Sequence, residues 1–71
     1  MNKKFLEILQ NNAVEGVEIT PDSNLFEDLG ISSLGMFNVI YEIENELGVR
    51  INVMELIDVK TVEELYKKFD I

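Results

Sequence analysis

The sequence predicts an all-α fold: a small four-helix bundle, three longer helices and one short, with residues 1–71 forming a single domain that has no repeat and no linker. Three observations predict it. Apolar residues recur at spacings of three and four in separate segments, as they do on the buried faces of helices. Thr61-Val62-Glu63-Glu64 has the form of a capping box that opens a helix. A chain of 71 residues buries only roughly 60% of its unfolded surface, so its core must be simple and helical or be stapled, and there is no Cys to staple it.

The first helix is expected over residues 2–10, where Phe5, Leu6, Ile8 and Leu9 share a face and Asn2 is a candidate cap. Asn11 and Asn12 are a stop, because Asn tolerates the left-handed conformation that ends helices. Val14, Val17 and Ile19 then follow no helical period, and Thr20-Pro21-Asp22-Ser23 is turn chemistry with Thr20 held extended by the proline after it. Residues 13–32 therefore read as a long loop, which in so small a domain must be pinned to the core or functional. Leu25, Phe26, Leu29 and Ile31 are the expected pins; Phe26 and Leu29 suit a single turn with Asp28 exposed beside them, and Gly30 offers a positive φ before the next helix.

That helix, over residues 33–47, is the longest. Its period places Met36, Val39, Ile40, Ile43 and Leu47 on the core face, and Leu34, Phe37, Asn38, Tyr41, Glu44 and Asn45 on a second arc with Ser33 at its edge. Gly35, Glu42 and Glu46 fall on the fully solvated remainder. Leu34, Phe37 and Tyr41 are more apolar than a solvent face requires; either they form a contact surface, or Phe37 and Tyr41 cover the first helix or the loop. Gly48 ends the helix, Val49-Arg50-Ile51 crosses in extended form with Ile51 inward, and Asn52 caps a short turn over residues 53–57 that Asp58 and Val59 close. The last helix follows its capping box, with Val62, Leu65, Tyr66 and Phe69 inward and Lys67 and Lys68 at the negative end of its dipole. Met36 and Met54, soft and adaptable, either fill the core or line a shelter for a ligand.

Composition removes whole classes of function. With no His and no Cys there is no thiolate nucleophile, no Ser-His-Asp triad and almost no transition-metal site, and the alternating acids of an EF-hand calcium loop are absent, so neither catalysis nor a bound metal is expected. Asp+Glu 14 against Lys+Arg 6 gives a formal net charge of −8, which repels phosphate backbones and anionic lipid and favours basic partner surfaces. Neither nucleic acid nor membrane is an expected partner, and the chain is expected to be monomeric. It has no apolar run long enough to span a bilayer and no apolar signal-peptide core, which points to the cytoplasm.

The informative stretch is Phe26-Glu27-Asp28-Leu29-Gly30-Ile31-Ser32-Ser33-Leu34. A loop closes on a glycine and presents two serines where a helix begins. If Ser32 caps that helix, accepting from the amide of Gly35 or Met36, Ser33 takes the first helical position and its side chain projects outward. Either both serines merely serve the helix start, or Ser33 is where another enzyme attaches a group. A hydroxyl beside free backbone N–H groups and the positive dipole end is a good place to hold a phosphate. Asp28 is a loop carboxylate receiving backbone amides or a docking aid for the modifying enzyme.

These residues resemble a known family. Pro21-Asp22-Ser23-x-Leu25-Phe26-x-Asp28-Leu29-Gly30-Ile31-x-Ser33-Leu34, an amphipathic helix with Glu42, Glu44 and Glu46, Gly48-Val49-Arg50-Ile51, and a closing helix opened by Thr61-Val62 together resemble the acyl carrier proteins over essentially the whole chain. The resemblance implies an acyl-carrier-protein-like bundle whose Ser33 receives 4'-phosphopantetheine from coenzyme A. It implies as partners a phosphopantetheinyl transferase and acyl-transferring or synthase enzymes with basic or apolar docking patches, met by Asp28, Leu34, Phe37, Asn38, Tyr41 and Glu44. It also implies a carrier of thioester-bound acyl groups that is not itself an enzyme.

The family's usual Asp before the modified serine is Ser32 here, and helix positions often acidic in fatty-acid carriers are Gly35 and Asn38. That departure favours a dedicated partner in specialised chemistry, such as polyketide or lipopeptide synthesis, over housekeeping fatty-acid synthesis. The expectation is a free-standing acyl carrier, with an aminoacyl or peptidyl carrier of a nonribosomal synthetase, or an unmodified acidic interaction domain, as the alternatives. Self-repulsion at −8 makes the melting temperature salt-dependent: added salt is expected to raise it by screening, and a melting point indifferent to ionic strength would count against this.

Overall fold

Side-chain oxygens open every helix. In the computed structural model, which describes residues 1–71, the Asn2 carboxamide accepts from the amides of Lys4 and Phe5 to start α1 (Lys3–Asn12). Ser32 starts α2 (Ser33–Leu47), Asn52 a 3-10 turn (Val53–Leu56), and Thr61 α3 (Val62–Phe69). The fold is thus all helical, but the expected fourth helix is one 3-10 turn and the bundle has three helices. The cause is local: the Glu55 amide already donates to the Asn52 carbonyl, and Val59, 5% exposed, must enter the core just beyond the turn. No helix is long and apolar enough to cross a membrane.

Helix ends follow different chemistry from one another. Gly48 closes α2 at φ 66, as its freedom at positive φ predicts. Asn12 does not take the left-handed conformation expected of it. It stays helical, its Nδ2 donates to the Ile8 carbonyl at 2.8 Å, and the chain leaves through extended Ala13. The Asn12 side chain thus folds back on the last full turn of α1 instead of ending the helix in the left-handed form. α3 ends on left-handed Asp70, φ 54.

The core draws Phe5, Ile8 and Leu9 from α1, Val39, Ile40 and Ile43 from α2, and Val62, Leu65 and Phe69 from α3. Met36 and Leu47 flank it, half-buried. Phe5 meets Tyr66 edge-on, ring centroids 4.9 Å apart. Between the helices lies the long loop, and it is ordered by the core: Leu25, Leu29 and Ile31 are buried as expected, whereas Phe26, expected as a fourth pin, is 42% exposed. Phe26 turns outward because the turn is helical, the Gly30 amide donating to the Phe26 carbonyl, so that Leu25 and Leu29, four residues apart, share its inward face. Backbone pairing adds a second anchor. Leu25 donates to the Lys60 carbonyl, and the first two amides of α3, Val62 and Glu63, donate to the carbonyls of Ser23 and Pro21. The loop therefore satisfies helix-terminal donors that no side chain of α3 reaches.

Gly30 sits where that loop meets α2. Its φ is 70, its amide donates to the Phe26 carbonyl at 3.1 Å, and the Val14 side chain lies where a Cβ would be. Gly30→Ala is expected to destabilise the fold by about 1–3 kcal/mol; urea titration measures it, and an unchanged midpoint would refute the constraint.

The capping box of α3 carries a pH signature. The Glu64 carboxylate accepts from the amides of Lys60 at 2.9 Å and Thr61 at 3.0 Å, and these bonds, Lys60's first, hold its pKa below the ordinary glutamate range. Folding thus favours the ionised form. The stabilisation is fully present above the unfolded pKa and is lost as pH falls through the lower folded value. Glu64→Gln is expected to make the acid limb of the stability profile shallower, and superimposable wild-type and variant limbs would reject that linkage.

Candidate functional site

Local hydrogen bonds deliver the chain to the start of α2. Asn24 Oδ1 accepts from the amides of Phe26 and Glu27, the Asn24 carbonyl from those of Asp28 and Leu29, and Asp28 Oδ2 from the Asn24 amide at 2.7 Å. The result is a tight turn that Gly30 closes. Ile31, 3% exposed, then donates to the Leu25 carbonyl and anchors the chain one residue before the cap.

Ser32 is extended, φ −78 and ψ 171, and its Oγ accepts from the Gly35 amide at 3.0 Å. The Met36 amide donates to the Ser32 carbonyl at 2.8 Å. Ser32 is therefore the cap, and Ser33 is the first residue of α2, exposed, with its hydroxyl outside the capping bonds. The amides of Ser33 and Leu34 have no acceptor one turn back in the helix, as at any helix start, and they are available to a phosphate ester. A phosphopantetheine group fits this geometry: an accessible hydroxyl, unclaimed donors beside it, and no side chain of α2's first turn that would repel an anion.

Beside Ser33 opens a groove of about 310 Å³, bounded by Phe26, Met36, Phe37, Ile40, Val53, Leu56, Ile57 and Val59, with Ser33 as its one non-hydrophobic wall residue. Sequence periodicity does not reveal it, because three segments build it: the loop, α2 and the 3-10 turn. One signal was present. Val53, Met54 and Ile57 are apolar in a turn too short to bury them, and they are 52%, 66% and 73% exposed. Met36 lines the groove, so of the two methionines it is the one placed to touch a ligand; Met54 lies outside it.

The six residues assigned to a partner face divide. Leu34, Phe37 and Tyr41 are 81%, 63% and 64% exposed, so neither Phe37 nor Tyr41 covers α1 or the loop. Asp28 spends a carboxylate oxygen on the Asn24 amide, the first of the two roles considered for it. Asn38 Nδ2 donates to Asn12 Oδ1 and to Glu42 Oε1, both at 2.9 Å. Glu44 Oε2 accepts from the Ile51 amide at 3.0 Å, and its side chain, 18% exposed, reaches Arg50. Glu42, expected to be fully solvated, is half-buried against Asn12 and Asn38, because α1 packs closely along that side of α2.

No His or Cys accompanies Ser33 to activate its hydroxyl. Comparison with known proteins identifies the family. Residues 4–69 match the family described as "Phosphopantetheine attachment site". The acyl carrier protein of Treponema pallidum is 37% identical over 71 aligned positions, covering 94% of this chain and 91% of that one. Acyl carrier protein AcpXL of Rhizobium etli is 34% identical over 44 residues, 62% of this chain and 48% of that protein's length. A Mycobacterium tuberculosis chain assigned as an acyl carrier protein superposes with a TM-score of 0.72 at 31% identity, covering 92% of this chain and 82% of that one. The chain belongs to the phosphopantetheine-bearing acyl carrier protein family, whose members are carriers and not enzymes.

Proposed function

We propose that residues 1–71 form one carrier domain that receives 4'-phosphopantetheine on Ser33 and carries acyl intermediates as thioesters on that arm. The observation that carries this reading is the division of labour between the two serines: Ser32 Oγ takes the cap, and Ser33 is left exposed at the mouth of the groove. When bound, the arm supplies the thiol that the chain lacks and offers a tethered acyl group to successive enzymes at high effective concentration. The chain's own residues hold the attachment point still and offer the apolar walls of Phe26, Phe37 and Ile57 beside it.

Those walls support an acyl cargo over an aminoacyl one, since a free ammonium would find no acceptor among eight hydrophobic wall residues. The enzymes implied are a phosphopantetheinyl transferase and the acyl-transferring or synthase enzymes that load and unload the arm. Ser32, Gly35 and Asn38, where fatty-acid carriers are often acidic, support a dedicated polyketide or lipopeptide pathway over general fatty-acid synthesis.

Intact mass after incubation with coenzyme A and a broad-specificity transferase tests the reading. One added phosphopantetheine is expected in the wild type and in Ser32→Ala, and none in Ser33→Ala. Ser32→Ala is expected to lose about 0.5–2 kcal/mol of stability with its cap. Modification that persists in Ser33→Ala, or its absence from folded wild-type protein, would overturn the assignment.

A further inference from the structure

The start of α2 beside Ser33 lacks the free carboxylates an ionic docking site needs. The first turn of α2 has no acidic residue, and the carboxylates of Asp28 and Glu44 hold the Asn24 and Ile51 amides. What the surface offers instead is hydrocarbon. Leu34, Phe37 and Tyr41 stand at spacings of three and four on one face of α2, and across the groove stand Val53 and Ile57, with Met54 next to Val53 in the chain and outside the groove; all six are more than half exposed. Such a concentration of apolar side chains on one side of a small chain marks a contact surface.

Charge identifies what covers it. The six basic residues are Lys3, Lys4, Arg50, Lys60, Lys67 and Lys68, so no cation occurs from Phe5 to Val49. Glu27, Glu55 and Asp58, each next to a residue of the groove wall, are exposed and take part in no ion pair. A second copy of this chain would bring the same negative rim against this one. We propose that the transferase that modifies Ser33 docks through this apolar patch, with basic side chains only at the edge of its own contact surface, and that apolar burial supplies most of the affinity. The proposal rests on Ser33 as the attachment site. Ion pairs at such a rim contribute little once screened, whereas desolvated apolar anchors dominate interfaces.

The test is the KM for this protein in phosphopantetheine transfer from coenzyme A, measured from about 50 to about 500 mM NaCl for the wild type, Leu34→Glu, Met54→Gln and Glu27→Gln. Leu34 and Met54 are exposed, and a carboxylate in the first turn of α2 favours the helix, so circular dichroism is expected to show all variants folded. Leu34→Glu and Met54→Gln are expected to raise KM roughly tenfold with kcat unchanged, Glu27→Gln less than about threefold, and salt to have a weak effect on all four. The substitution at position 34 separates the alternatives by sign, because a site read through ion pairs would bind the added carboxylate more tightly. A lowered KM in Leu34→Glu, or a steep rise of KM with salt, would overturn apolar docking while leaving Ser33 in place. So would light scattering that finds a dimer dissolved by Leu34→Glu. A wild-type chain that accepts no phosphopantetheine would overturn the attachment site and the docking proposal together.

Discussion

The hydrogen bond from the Gly35 amide to Ser32 Oγ is the interaction on which the site depends. A helix must satisfy its first amides, and two adjacent hydroxyls compete for that task. Ser32 is extended and can turn its oxygen back over the helix start; Ser33 already has helical geometry and cannot. The outward hydroxyl of Ser33 is thus a consequence of its neighbour's conformation. That conformation is fixed in turn by buried Ile31 and by Gly30, the left-handed residue that lets the preceding turn end against Val14.

The loop that makes this delivery is structural in its own right. It is tied at both ends: its buried Leu25 and Leu29 join the core between the helices, and its backbone pairs with the approach to α3 through Lys60, Val62 and Glu63. The chain ends are tied by one side chain. Tyr66 accepts from the Asn2 amide at 2.9 Å and donates to the Ile71 carbonyl at 2.8 Å while its ring packs on Phe5. A small core gains rigidity from such ties without disulfides or metals.

Charge and hydrocarbon are segregated around Ser33. Cations lie in the two terminal regions and at the α2 exit, and some are already engaged: Lys4 with Glu46 and Lys67 with Glu63. The Ser33 surface is left apolar with acids around it. The phosphate ester proposed on Ser33 meets no like charge there, because the helix start supplies positive potential locally and α2's first turn adds no acid.

The amino-acid sequence alone determined the three longer helices, their N-terminal caps and the order of the two serines, Ser32 as cap and Ser33 first in the helix. These rest on short-range chemistry: a hydroxyl reaching an amide three residues on, a carboxylate closing the Thr61 box, a glycine free to adopt positive φ at 30 and 48. Tertiary structure decided everything that needs two segments at once. It turned Phe26 outward, drew Glu42 against Asn12, engaged Glu44 with the Ile51 amide, reduced the fourth helix to a 3-10 turn, and brought that turn beside α2 to make the groove. Helical periodicity states which residues share a face but not which neighbour will cover it. At Phe37 and Tyr41 both outcomes were compatible with the sequence, and only the packing of α1 on the opposite side of α2 left them exposed.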